Sequence, residues 1–163
     1  DDKVKDLKEI SGLGPEPLEI SFKQFLNLFG HYSGQTTIKK KRGRIKQVLM
    51  DPTFIAGIGN IYADEILWSA GIHPLSRTEN LVQKDLKNIY NHTVRILKKA
   101  IKYKGSSVDD YRIPSGEKGS FQDVQNAYHK TGEKCKKGDG GVIERLKLGG
   151  RSAHFCPKHQ AFR

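Results

Sequence analysis

The sequence predicts a mainly α-helical chain that ends in a small β-rich part. Apolar residues recur at helical spacing in several stretches up to about residue 104, and the longest stretch runs from Leu81 to Lys104. From Val124 the pattern changes to short strands and turns. With 163 residues and 36% hydrophobic content, the chain is expected to form one domain, or two small ones, around a modest core.

The first predicted elements follow a loop-like segment. Residues 1–20 are charged and then rich in glycine and proline, so we expect a linker there. Ser21 is expected to cap a short helix that carries an apolar stripe. The segment 45–49 is helix-like, and Asp51 followed by proline indicates a further helix start.

Two stronger helices and a long loop come next. Residues 61–71 combine apolar positions at helical spacing with Gly71 at the C-terminal end, and residues 81–104 show the longest periodicity. Residues 105–123 lack periodicity and contain several Gly and Ser residues, which is typical of a functional or disordered loop. The β-rich tail is expected over residues 124–163.

The charge of the chain favours a polyanionic partner. Lys and Arg number 29 against 18 Asp and Glu, so the net charge is +11. Nucleic acid is the commonest such partner, and an anionic membrane surface is the rival. No stretch approaches the ~20 apolar residues of a membrane span, and the polar start DDKVKDLKEI is unlike a signal peptide. We therefore expect a soluble, cytoplasmic protein, in which two cysteines are too few for a disulfide framework.

A glycine-rich turn before the helix at 61–71 is a candidate anion site. Gly57 and Gly59 carry no side chain, so a phosphate can approach the backbone N–H groups closely. The first N–H groups of a helix are unsatisfied and partly positive, and the Asn60 side chain can add a donor. An ordinary tight turn between two helices is the alternative interpretation.

The string DPTFIAGIGNIYADEILWSAGIHP resembles the helix-two-turn-helix element of the formamidopyrimidine-DNA glycosylase / endonuclease VIII family almost end to end. The resemblance implies a helix-two-turn-helix DNA-binding subdomain over residues 21–104 and a β-hairpin zinc finger over residues 124–163. It also implies that Asn60 contacts a backbone phosphate and that Lys46 lies at a basic position near the DNA. The sequence departs from the family at Pro52, where glutamine is usual.

Two other segments are similar to parts of the same family. LGPEPL, within residues 1–20, resembles the junction between the family's two domains. Residues 105–123 resemble the loop that closes over a flipped, damaged base. Four loop residues are therefore candidate contacts for that base: Ser106, Ser107, Tyr111 and Arg112. A disordered linker is the alternative.

The tail resembles the family's zinc hairpin but departs from it in both knuckles. The first knuckle reads CKKG, so its second cysteine is absent, and the second reads CPKH, with histidine in the last place. Because zinc needs about four N, S or O donors, we expect one structural Zn²⁺ here. Its expected ligands are Cys135, Asp139, Cys156 and His159. The rival fourth ligands are His129 and His154. Free thiols, a disulfide or a metal-free hairpin are the alternatives.

Arg151 follows two glycines at the predicted hairpin turn. The resemblance implies that it reaches a phosphate at the lesion, a contact that a guanidinium makes with two parallel hydrogen bonds. The basic run at 39–46 precedes the glycine turn, so part of it is expected to contact DNA. An exposed surface arginine and a solvated lysine face are the alternatives.

The resemblance implies the C-terminal DNA-binding part of a bifunctional glycosylase and abasic-site lyase of base-excision repair that acts on oxidised purines (8-oxoguanine, formamidopyrimidine). The expected partner is damaged or abasic double-stranded DNA, bound by a monomer in the nucleoid of a bacterial-type cell. The family's nucleophile is an N-terminal proline amine followed by a glutamate, whereas this chain begins Asp1-Asp2-Lys3. We therefore expect no catalytic residue in the chain and no activity from it alone. A stand-alone DNA-binding module and an RNA- or ribosome-associated protein are the alternatives.

Overall fold

The computed structural model of the chain describes residues 12–31, 41–106 and 116–163. These residues form four α-helices and one two-stranded antiparallel sheet. The helices are α1 (Phe22–Leu28), α2 (Ile45–Leu49), α3 (Asn60–Ala70) and α4 (Gln83–Lys102), and the strands are β1 (Glu144–Leu148) and β2 (Arg151–Phe155). Short 3₁₀ turns cover Thr78–Asn80 and Phe121–Val124. The predicted fold class, mainly α with a small β part, is confirmed.

The helix ends follow from the local sequence. Ser21 caps α1 through a capping box: its Oγ accepts from the Gln24 backbone N–H at 3.3 Å, and Gln24 Oε1 accepts from the Ser21 backbone N–H at 2.8 Å. Gly71 ends α3 with a left-handed φ of 72°. The helix start expected at Asp51 is wrong, because Asp51 Oδ1 accepts from the Thr53 N–H at 2.9 Å and closes a turn there.

The apolar faces of the helices meet in one core, and α3 and α1 both pack against α4. Its most enclosed side chains are Phe25, Phe29, Ile45, Leu49, Ile55, Ile66, Leu67, Leu86 and Ile89. Removal of these side chains from water is the main stabilising contribution in this part, which we call the helical body (α1–α4). None of the helices in the described ranges combines the length and apolarity that crossing a membrane requires.

The two strands form a hairpin in which Leu148 pairs with Arg151. Gly149 and Gly150 connect them with φ values of 56° and 78°, and two consecutive positive φ angles give a turn whose twist matches that of the strands. A small apolar cluster lies beneath the hairpin and consists of Trp68, Ala127, Cys135, Ile143 and Cys156. Because Trp68 belongs to α3, residues 124–163, which we call the hairpin tail, pack on the same helix that follows the glycine turn.

The segment before α1 lies against the glycine turn. The Gly14 N–H donates to the Pro52 carbonyl at 2.8 Å, and the Ala56 N–H donates to the Pro15 carbonyl at 3.0 Å. A Cβ on Gly14 would collide with the backbone of Phe54. The approach is so close that only glycine fits, and the segment that resembles an interdomain junction is packed onto the helical body.

Candidate nucleic-acid and metal sites

The turn before α3 presents a helix N-terminus without a cap. Gly59 is the N-cap residue and supplies no side-chain acceptor, and the first turn of α3 contains no acidic residue. The start of α1, by contrast, receives the Ser21 hydroxyl. The space beside Gly59 is open, because a Cβ there would meet nothing within 4 Å. Gly57 has a φ of 79°, a backbone conformation that favours glycine. The first N–H groups of α3 are therefore open to an anion.

Asn60 is the first residue of α3 and is half-buried. Its Oδ1 is enclosed and has no hydrogen-bond partner in the described part of the chain. Leaving an enclosed polar atom unpaired is costly. Because no donor in the described part of the chain holds Oδ1, the Asn60 side-chain amide can direct its two N–H donors at a ligand of the turn.

Arg151 stands next to the hairpin turn, as the glycine pair predicted. It is the first residue of β2 and is exposed. The ion pairs formed within the described ranges do not include it. Its five N–H donors are thus presented to solvent, where they can form a two-bond contact with a phosphate.

Lys46 does not lie at the surface, where a DNA contact was expected. Its side chain is 1% exposed. The ammonium lies 2.7 Å from Asp64 Oδ1 and donates to the Ser152 carbonyl at 2.6 Å. Burial lowers the pKa of Lys46, and the charge of Asp64 offsets part of this effect. Lys46, expected at a basic position near the DNA, thus lies in a buried ion pair, and protein acceptors enclose its ammonium.

Sequence reasoning missed two adjacent acids of α3, Asp64 and Glu65, which are 1% and 0% exposed. Glu65 accepts hydrogen bonds from three consecutive backbone N–H groups, at 2.8 to 2.9 Å. The donors are Asn126, Ala127 and Tyr128. Burial raises the pKa of Glu65, and the N–H groups act in the opposite direction. Consecutive acids within an otherwise apolar helix, as in ADEILW, are the signal that could have identified them.

Of the four candidate residues in the loop at 105–123, the structure describes only Ser106. Its backbone pairs with Ser120, and its Oγ donates to Gln122 Oε1 at 3.4 Å and accepts from Gln125 Nε2 at 3.3 Å. These contacts join the two ends of the loop beside the end of α4. The other candidates, Ser107, Tyr111 and Arg112, lie outside the described residues.

The two knuckles bring four donor atoms together. The ligand atoms of Cys135, Asp139, Cys156 and His159 all lie within 4.8 Å of one another. Cys135 Sγ is 3.4 Å from His159 Nδ1. Cys156 Sγ is 3.4 Å from Asp139 Oδ2. Because the ligand atoms of tetrahedral zinc are about 3.3–3.8 Å apart, these residues fit a four-coordinate metal ion.

Neighbouring groups orient these donors. The Gly141 N–H donates to Asp139 Oδ1 at 2.7 Å, which lowers the pKa of this carboxyl and leaves Oδ2 to face the cluster. His159 Nε2 lies 2.9 Å from the Trp68 carbonyl oxygen, so Nδ1 is left for a metal ion. A Cβ on Gly141 would collide with Cys156 Sγ. Glycine is therefore required beside the sulfur.

The two rival ligands lie outside this cluster. His154 is buried, and its Nδ1 lies 3.0 Å from Asp64 Oδ2. His129 is exposed, and its ring stacks on Tyr128 with the centroids 4.2 Å apart. The fourth donor that the described residues bring to the two cysteines and His159 is therefore Asp139.

The sequence matches one family of DNA glycosylases. The family model for the formamidopyrimidine-DNA glycosylase H2TH domain matches residues 13–112. The chain is 40% identical over 148 residues to the formamidopyrimidine-DNA glycosylase of Streptococcus pneumoniae serotype 4 (91% of this chain, 51% of the relative). It is 40% identical over 157 residues to that of Prochlorococcus marinus strain MIT 9312 (96% and 50%). The chain therefore spans about half the length of these curated relatives.

Solved structures agree with the sequence matches. A complex of the Lactococcus lactis Fpg with abasic-site-containing DNA has a TM-score of 0.80 and 36% identity, over 98% of this chain and 55% of that one. A complex of the same protein with Fapy-dG-containing DNA has a TM-score of 0.79 and 36% identity, with the same coverage. The MutM (Fpg) protein of Thermus thermophilus has a TM-score of 0.79 and 33% identity, over 97% and 58% of the two chains.

Proposed function

The chain belongs to the formamidopyrimidine-DNA glycosylase family, and we propose that it is the part of such an enzyme that grips duplex DNA by its phosphates. The observation that carries this proposal is that the first turn of α3 has no side-chain cap and that the space beside its N-cap residue, Gly59, is open. Asn60 and Arg151 would add directed donors to the backbone N–H groups. The net charge of +11 would supply the sequence-independent attraction to DNA.

The DNA that we propose carries an abasic site or an oxidised purine, such as 8-oxoguanine or formamidopyrimidine. Support comes from the similar Lactococcus lactis complexes, which hold DNA of both kinds. The loop at 105–123 would close over the flipped base with contacts from Ser106 and its neighbours. Those neighbours are Ser107, Tyr111 and Arg112. In this proposal the protein works as a monomer in the nucleoid of a bacterial-type cell.

DNA binding can be measured by fluorescence anisotropy with three probes: a duplex with a stable abasic-site analogue, the intact duplex and a structured RNA. We expect the abasic duplex to bind most tightly, with an affinity that falls steeply with salt. Arg151→Ala should weaken this binding by roughly tenfold, and Arg145→Ala in the same hairpin is the matched control. Equal or tighter binding of the RNA would contradict the proposal.

We also propose one structural Zn²⁺ bound by Cys135, Asp139, Cys156 and His159. The ion would cross-link the CKKGD loop to the CPKH segment and so hold the tail together. Metal analysis should find about one zinc ion per chain. In the Co²⁺-substituted protein, absorption from thiolate-to-metal charge transfer would report the two cysteines. Asp139→Ala should reduce the metal content, whereas His129→Ala should leave it unchanged.

Base excision and strand cleavage are proposed for the whole enzyme, and DNA gripping alone for this 163-residue chain. Borohydride traps the covalent imine that an amine nucleophile forms with an abasic sugar. We expect no adduct when this chain is incubated with abasic or 8-oxoguanine duplexes and borohydride. A covalent adduct would mean that an amine of this chain performs the chemistry.

A further inference from the structure

A buried ion pair joins the hairpin to the helical body beside Arg151. Lys46 of α2 and Asp64 of α3 lie 2.7 Å apart, with side chains 1% and 0% exposed. Both also bond to β2, the strand that begins at Arg151. Lys46 Nζ donates to the Ser152 carbonyl at 2.6 Å, and Asp64 Oδ2 accepts from the His154 backbone N–H at 3.0 Å. Two helices and one strand therefore meet at a single pair of charges.

The partners of this pair are all protein groups. Asp64 presents Oδ1 to Lys46, while Oδ2 lies 3.0 Å from both the backbone nitrogen and Nδ1 of His154. Separating the Lys46 ammonium from the Asp64 carboxylate would leave both charges buried without a partner, which is strongly destabilising. The two side chains therefore hold each other in place. A phosphate could reach the Lys46 ammonium only if β2 moved away from α2.

The start of β2 lies against α2 at two places. Lys46 fixes the backbone at Ser152, one residue after Arg151. On the turn side, the side-chain nitrogen of Gln47, which follows Lys46 in α2, lies close to Gly149. The Lys46 hydrogen bond thus ties the backbone next to Arg151 to α2, while the Arg151 side chain stays exposed.

We propose that Lys46 and Asp64 form a hairpin clamp that sets the position of Arg151, and that Lys46 influences DNA binding through Arg151 without touching the DNA. The physical reason is that a donor on a fixed strand loses less conformational freedom on binding than one on a loose hairpin. Lys46 is a positioning residue in this scheme. The inference rests on the proposed phosphate contact of Arg151.

The test is a double-mutant cycle on affinity for the duplex with an abasic-site analogue. Lys46→Met should weaken binding about tenfold when Arg151 is present and by less than about twofold in an Arg151→Ala background. The plot of log affinity against log salt concentration should become less steep by about one unit for Arg151→Ala. The double variant should show no further decrease in steepness. Additive losses, with a second unit of salt slope, would show that Lys46 contacts a phosphate itself and would overturn the clamp.

A second variant separates positioning from unfolding. Lys46→Met leaves Asp64 without its cation, whereas Lys46→Met with Asp64→Asn removes both charges and keeps an oxygen for the His154 N–H. We expect this pair to recover thermal stability but not DNA affinity. Recovery of both would mean that the loss came from unfolding alone, which contradicts the clamp. Lys130→Met, on the surface of the tail, is the matched control.

A readout without DNA tests the clamp separately from the proposed function. The His154 backbone N–H, held by Asp64, should exchange slowly with deuterium, and Asp64→Ala should speed this exchange at least about tenfold. The Leu97 N–H in α4 is the internal control. Fast exchange at His154 in the unmodified chain would overturn the clamp, whereas failure of the unmodified chain to bind duplex DNA would overturn the proposed function.

Discussion

The helical body and the hairpin tail are held by different kinds of interaction. Apolar side chains from all four helices build the body, whereas the apolar cluster beneath the hairpin has five members. The tail relies more on buried polar contacts with α3. Asp64 holds β2, Glu65 holds the segment before the hairpin, and the Trp68 carbonyl bonds His159. One helix therefore contributes apolar packing on one side and polar anchors on the other.

The difference shows how a small tail can be positioned accurately with little apolar surface. Apolar contacts are non-directional and make a body compact. Hydrogen bonds and buried ion pairs need a defined geometry, and a buried polar group without its partner is costly. The polar anchors of α3 therefore select one orientation of the hairpin, which is what a donor such as Arg151 requires.

The largest effect expected in the tail is that of metal removal. A metal ion that binds only the folded state, at a free concentration about a thousandfold above its Kd, stabilises that state by about 4 kcal/mol. Chelation should therefore loosen the tail while the helical circular dichroism of the body is retained. Backbone NMR spectra before and after chelation would check this. Simultaneous loss of the helical signal would mean that body and tail unfold as one unit.

In the body, Leu86→Ala should lower the free energy of unfolding by about 3 kcal/mol, because it leaves a cavity at a fully buried position. Denaturant unfolding followed by circular dichroism measures the change. Ile101→Ala, on the exposed side of the same helix, is the control and should have little effect. Equal losses for both variants would contradict the location of the core.

In the tail, Glu65→Gln should cost about 2 kcal/mol, because the amide offers one oxygen to three backbone donors and turns an N–H₂ group towards an N–H. Thermal unfolding and the amide signals of residues 126–128 would report it. Glu133→Gln, at an exposed side chain, should change the stability by less than about 0.5 kcal/mol. A neutral Glu65→Gln variant would show that the tail is not anchored through this carboxylate.

The local features of the fold could be predicted from the sequence. Ser21 and Gly71 mark helix ends because capping depends on neighbouring residues, and the Gly149–Gly150 pair marks the hairpin turn for the same reason. The expected metal donors also lie together, including Asp139, which directly follows the CKKG knuckle in the sequence.

What could not be predicted depends on partners far away in the chain. Lys46 has the pattern of a surface lysine in a basic run, and only the folded structure brings it to Asp64 and to Ser152, 106 residues later. The same holds for Glu65, whose donors lie 61 to 63 residues away. Local periodicity records that a residue lies on a buried side, but not which distant group satisfies its charge.

The substitution Gly59→Asp tests whether the first turn of α3 binds a DNA phosphate. Gly59 has a φ of −92° and open space at its Cβ, so any residue fits there. An aspartate at this N-cap would supply its own anion and stabilise the helix by about 0.3 kcal/mol. Affinity for the duplex with an abasic-site analogue should nevertheless fall at least about tenfold, because the carboxylate occupies and repels the phosphate site. A more stable protein with unchanged DNA affinity would mean that no phosphate binds at this helix start.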